Sequence, residues 1–291
     1  NYTIPITILN ATGTDNLNFV YLNSTILPRT RKDFGDIRFT NSNGGLLDYW
    51  IETMNETINA TFWVKISSNL SVSNQTIYLY YGNPTATNIS NGTNTFQFFD
   101  DFDDASIDTN KWNYTSGATV AASEAGGLGK LVGSLSASWN TGYFRTKKAF
   151  SPGSAIRARQ YYAQSSSNII SYSGFLDSGV QTYVSGGMTE SIHQELKRYN
   201  WVSGGSPYQD FVSINNSISN INTITTNIRD SWSIIEQRWD SSIVQLLYDD
   251  VNETSISNIS IRPTGPLIAG FSIDIGASGD GDIFTDWFVV R

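Results

Sequence analysis

The chain has 291 residues, 18 basic and 26 acidic side chains, a net charge of -8 and a pI near 4.6. An apolar fraction of 39% excludes a wholly disordered chain, no apolar run nears the ~18 residues of a membrane-spanning helix, and the acidic balance disfavours nucleic acid as partner. Without cysteine there are no disulfides, thiolate metal sites or thiol catalysis; with charged residues at 15% and Ser plus Thr near 22%, solubility rests on hydroxyls and amides.

In chain order, strands are predicted at Tyr2–Leu9, Asn18–Leu27, Leu47–Glu52, Ile58–Ile66 and Thr76–Tyr81, each rich in β-branched or aromatic residues between Gly, Asn or Pro breakers. The fourth shows the period of two most clearly: Ile58, Ala60, Phe62, Val64 and Ile66 share one face, opposite Asn59, Thr61, Trp63 and Lys65. A turn-rich stretch, Gly82–Thr95, follows, and with it the charge shifts from net -1 over 1–97 to net -7 over 98–291. Beyond it, strands are predicted at Gly142–Phe150, Ala155–Ala163, Asn168–Leu176, Ser231–Trp239, Ser242–Asp250, Ile256–Arg262, Leu267–Ile273 and Ile283–Val290. Thr189–Tyr199 has mixed periodicity and admits a short helix. The expected fold is all-β, with one β-sandwich over 1–97 and a larger jelly roll over 98–291.

Thirteen Asn-x-Ser/Thr triplets begin at Asn1, Asn10, Asn23, Asn55, Asn59, Asn69, Asn74, Asn88, Asn91, Asn113, Asn215, Asn252 and Asn258. Chance placement of 27 asparagines at this Ser/Thr fraction predicts about six, and nine of the thirteen fall within 1–97. The excess points to a heavily N-glycosylated exterior on an extracellular protein displayed at a cell or virion surface. No basic leader opens the sequence, so a signal peptide is expected to have been removed already.

The segments IPITI (4–8), DIRFT (36–40), LDYWIE (47–52), ATFWVKI (60–66) and TIYLYYGNPTA (76–86), leading into FFDDF (98–102), resemble a family of extracellular β-sandwich domains of unknown function from archaeal and bacterial surface proteins. The stretches DDFDDASIDTNKW (100–112), SWSIIEQRWDSSIVQLLYDD (231–250) and DWFVVR (286–291) resemble a concanavalin-like, laminin-G-like jelly roll. That second resemblance implies a structural Ca²⁺ held by the Asp that opens the last strand, here Asp286, with oxygens near the first strand. Asp101 is the candidate there, within the acidic run Asp100, Asp101, Asp103 and Asp104.

Catalytic signatures are sparse. Laminarinase-type glycosidases set Glu-x-Asp-x-x-Glu along one strand so that a carboxyl pair acts as nucleophile and acid/base, and no such run occurs here. Glu190 and Glu195 lie five apart and face opposite sides of a regular strand, and Glu236 stands alone in its strand, with Arg238 expected to pair with it or face solvent. The single histidine, His193, reads as packed or solvated, and no Gly-x-Ser-x-Gly elbow accompanies it. The expectation is therefore a protein that is not an enzyme. Aromatic rings beside amides and carboxylates suit sugars, and a loop carrying Tyr199, Asn200, Trp201, Tyr208 and Asp210 is the candidate glycan site. Trp50, Trp63, Trp112, Trp232, Trp239 and Trp287 are expected in the core.

The function expected is adhesion or attachment through recognition of glycans or of cell-surface or virion proteins. The alternatives are a self-assembling structural subunit of a filament, sheath or virion, and a glycosidase. Beyond a structural Ca²⁺, no cofactor is expected.

Overall fold

The computed structural model describes every residue except 1, 17–18, 24–27, 67–72, 135–138, 165–167, 178–189, 199–207, 216–217 and 278. It divides into two units, Asn1–Phe99 with Arg291, and Asp100–Val290. Both are β-sandwiches, and the chain is nearly all-β.

The first unit contains β1 (Tyr2–Leu9), β2 (Phe19–Tyr21), β3 (Arg38–Asn41), β4 (Tyr49–Asn55), β5 (Asn59–Ile66), β6 (Ile77–Tyr80) and one helical turn, α1 (Gly92–Thr95). One sheet runs β2-β1-β5-β4 and the other pairs β3 with β6. Alternation along β5 buries Ala60, Phe62, Val64 and Ile66, and the rings of Phe39, Tyr49 and Phe62 meet edge-on at 5.5–5.6 Å between the sheets. Ile58 departs from the expected pattern: it lies in the turn before β5 and is 54% exposed. Trp63, on the opposite face, is buried in an aromatic cluster with Trp50, Phe96 and Phe99.

Strand β7 (Phe98–Asp100) spans the boundary, and the second unit goes on with β8 (Trp112–Thr115), β9 (Val120–Glu124), β10 (Gly129–Gly133), β11 (Asn140–Phe150), β12 (Ser154–Gln164) and β13 (Ile169–Leu176). It continues with β14 (Glu190–Arg198), β15 (Tyr208–Asn215), β16 (Ile218–Ile224), β17 (Trp232–Trp239), β18 (Val244–Tyr248), β19 (Val251–Ile256), β20 (Leu267–Ile275) and β21 (Gly281–Val290). An eight-stranded sheet has the order β19-β18-β17-β12-β21-β10-β9, with β7 also paired to β21. A seven-stranded sheet has the order β16-β15-β14-β13-β20-β11-β8.

Between these sheets, Trp112 is fully buried among Phe102, Phe144, Phe271 and Phe288, and its Nε1 donates to Asp100 Oδ2 at 2.6 Å. Further along, Phe175 packs on Trp239 at 5.2 Å, and Gln237 Nε2 donates to the Ser173 carbonyl. These contacts fix which face of each sheet is inward.

Three local expectations are corrected. Thr189–Tyr199 contains no helix in its described part, because β14 is the central rung between β13 and β15 and sheet pairing overrides its mixed pattern. The strand expected over Ile256–Arg262 stops at Ile256, where Asn258 caps a 3-10 turn at Ile259–Ile261 by accepting from Ser260 N–H. Trp232 is not a core residue but 37% exposed.

Candidate functional site

Strand alternation assigns the even positions of β13 and β20 and the odd positions of β11 and β14 to the outer face of the seven-stranded sheet. Tyr143, Ser272, Tyr172, Glu195, Asp210 and Thr223 stand in one register row across six strands, and Arg145, Gly270, Gly174, His193 and Val212 in the next. The side-chain contacts agree. His193 Nδ1 lies 3.1 Å from Ser191 Oγ, its ring meets Tyr172 at 5.8 Å, and Thr223 Oγ1 donates to Asp210 Oδ1 at 2.9 Å.

Two glycines shape this face. Gly174 and Gly270 are register partners, so no side chains rise from the sheet between Arg145 and His193. A Cβ on Gly270 would come within 2.2 Å of the Phe144 carbonyl, and one on Gly174 within 2.3 Å of the Ile192 carbonyl. Close strand approach excludes side chains at both positions.

Ser191, His193 and Tyr172 are buried, and the face opens at its β8–β11 end. There a cleft of about 370 Å³ is lined by Asn113, Tyr114, Tyr143, Arg145, Lys147 and Ile268, among others. The Arg145 guanidinium lies 4.1 Å over the Tyr143 ring, and burial lowers its pKa. Asp274, bonded to Thr141, has its carboxyl pushed up to about 6 by burial, against the opposing pulls of Thr141 and Arg145. The cleft offers aromatic rings, the Arg145 and Lys147 cations, an amide and a hydroxyl, a set suited to a polyhydroxylated ligand.

Of the predicted glycan-site residues, Tyr199, Asn200 and Trp201 lie outside the described residues. Tyr208 and Asp210 lie in strand β15 rather than in a loop, and Asp210 is buried on the outer-face row. Tyr143, Arg145, Tyr172 and Asp274 were not singled out by sequence reasoning. The alternation of Gly142–Phe150 puts Tyr143 and Arg145 on one face, but only the opposing strands bring them near Asp274.

The expected calcium ligand Asp286 is an ion-pair partner here: its Oδ2 accepts a 2.6 Å bond from Arg159 Nη1. Asp101 has its carboxyl pushed up by burial and by neighbouring Asp103. Among the described residues no group of three or more His, Asp or Glu is placed to hold a metal ion. Of the thirteen sequon asparagines, Asn23, Asn55, Asn74, Asn88, Asn91, Asn113, Asn252 and Asn258 are exposed, and Asn10, Asn59 and Asn215 are half-buried. Asn1 and Asn69 lie outside the described residues.

Comparison with known proteins supplies fold relatives. A glycosyl hydrolase family protein from Mycobacterium fortuitum superposes with a TM-score of 0.51 at 12% identity, covering 67% of this chain and 99% of that one. A putative beta-glucanase from Mycobacterium abscessus gives 0.50 at 10% identity (67% and 100%), and an uncharacterized protein from Mycobacterium paratuberculosis 0.51 at 14% (67% and 100%). These likenesses establish the jelly-roll fold. They also overturn the expectation that the chain is not an enzyme, since proteins named as glycosyl hydrolases are built on this fold. No curated protein matches as a sequence relative. Residues 33–115, from the first unit through the end of β8, are similar to a family described as a domain of unknown function, DUF2341.

Proposed function

We propose that this chain is an extracellular, N-glycosylated, glycan-active protein whose jelly roll takes a saccharide on the outer face of its seven-stranded sheet, entering at the Tyr143–Arg145 cleft. The observation that carries this reading is the Arg145 guanidinium held over the Tyr143 ring in that cleft, with the buried Asp274 carboxyl close enough to act electrostatically on Arg145. A pyranose lays its C–H face on an aromatic ring while charged groups take its hydroxyls. Attachment to glycan-bearing surfaces is the role this site would serve.

The test is binding of soluble β-glucans and host-type glycans by the full chain. Tyr143→Ala is expected to weaken affinity about tenfold, or ~1.4 kcal/mol. Unchanged affinity in that variant would sink the reading.

One observation favours a second reading, glycoside hydrolysis. The register sets Glu195 directly opposite Asp210 on adjacent strands, and retaining glycosidases work with a pair of neighbouring carboxyl-bearing residues. Release of reducing ends from β-glucan, abolished in both Glu195→Gln and Asp210→Asn, would establish it. No release by the wild-type chain from any glycan it binds would rule it out.

A further inference from the structure

On the other sheet of the second unit, the outward positions of three adjacent strands are aromatic. Register pairs Tyr161 of β12 with Trp232 of β17 on one side and with Phe284 of β21 on the other. The ring centroids are 5.7 Å and 6.1 Å apart. Trp232 is 37% exposed, and Tyr161 and Phe284 are half-buried. Polar groups border the row. Lys130 of β10 is the register partner of Phe284, and Arg159 stacks over the Trp232 ring at 4.7 Å while bonding Asp286. The Arg159 and Asp286 side chains are 40% and 33% exposed, so the pair can still meet a ligand.

We propose that Trp232, Tyr161 and Phe284 form a second glycan-binding site, on the opposite sheet from the Tyr143–Arg145 cleft, that takes a single soluble polysaccharide chain. The row crosses two strand spacings, about 10 Å, enough to seat two linked pyranose rings. The Arg159–Asp286 pair stands where ring hydroxyls would project, offering both donors and acceptors. Neighbouring rings are inclined by 53° and 35°. A flat crystalline face therefore cannot touch all three, whereas one twisted chain can follow them. A purely apolar protein partner would leave the rim of Lys130, Arg159 and Asp286 without matching groups.

The experiment is native affinity electrophoresis of the full chain in gels containing barley mixed-linkage β-glucan, laminarin, xylan or galactomannan. It is run on wild type, Tyr143→Ala, and Tyr143→Ala combined with Trp232→Ala, Tyr161→Ala or Trp232→Phe. At least one polysaccharide is expected to retard Tyr143→Ala. Adding Trp232→Ala or Tyr161→Ala weakens that retardation at least fivefold, and Trp232→Phe, which keeps a ring, restores most of it. Near-UV spectra and melting midpoints confirm that each variant is folded.

Absence of retardation in the Tyr143→Ala background overturns the site, as does retardation that survives both alanine changes. A wild-type dimer that Trp232→Ala dissociates in light scattering overturns it too, because the face would then be a contact between copies. Trp232-dependent sedimentation with microcrystalline cellulose would overturn the single-chain geometry.

Discussion

Glu124 donates a hydrogen bond to Asp104, one carboxyl to another, at the end of β9. Burial first, then this bond and the charge of Asp100, push the Glu124 carboxyl up to about 7 from an ordinary 4.5. The folded chain thus holds a proton that the unfolded chain has released, and between these values stability falls as pH rises. The contribution is fully present below about 4.5 and lost above about 7; Asp274, raised to about 6, acts in the same direction. Melting midpoints should therefore rise as pH drops from 7 to 5. Glu124→Gln, which keeps a donor but cannot ionise, should flatten part of that slope. A slope identical in the variant would refute the shared proton.

Arg157 sits almost fully buried on the outer face of the eight-stranded sheet, 3.0 Å from Glu236 and 2.7 Å from Asp250. Glu236 also accepts from Arg238 Nε. Glu236→Gln removes a buried counter-charge and leaves Arg157 facing a largely exposed Asp250, at a cost of about 3 kcal/mol. Denaturant unfolding measures this directly. Asp250→Asn should cost far less, since an exposed partner is screened by solvent.

Trp112 couples core packing to a buried polar bond. Trp112→Phe keeps most of the ring contacts but strands Asp100 Oδ2, which Lys111 approaches only to 3.7 Å; about 2 kcal/mol should be lost. Trp112→Ala should lose about 4 kcal/mol, because the cavity opens among Phe102, Phe144, Phe271 and Phe288. Calorimetry that ranks the two the other way would contradict the packing account.

Gly174→Ala is expected to destabilise the second unit by more than 2 kcal/mol, since φ is +155° and the new methyl meets the Ile192 carbonyl. Loss of glycan affinity without loss of stability in this variant would show that the methyl fits and merely blocks the face.

The sandwich architecture was legible because strands such as β5, β12 and β21 carry apolar residues at a period of two on their inward faces. β14 was ambiguous for a physical reason. Ser191, Ile192 and His193 are buried in succession, so no alternation survives to be read there. Trp232 was misplaced because composition favours the core for an indole, while its side of β17 is set by the Tyr161 register. The grouping of Arg145 with Tyr143 and Asp274 depends on pairing between strands more than a hundred residues apart, which local sequence does not encode. The Arg238–Glu236 pair, by contrast, is local, and it was one of the two readings that their strand offered.

In the second unit two exposed sequon asparagines occupy terminal strands of the sheets: Asn113 on β8 and Asn252 on β19. Terminal strands present unsatisfied ladder groups, and here Val251, 62% exposed, lies beside one of them. A bulky hydrophilic branch at these places would hold a second chain away from the ladder. Protein made in a host that attaches no sugar would carry two bare strands ready to recruit copies of itself, and slow fibrous precipitation on storage would be the sign.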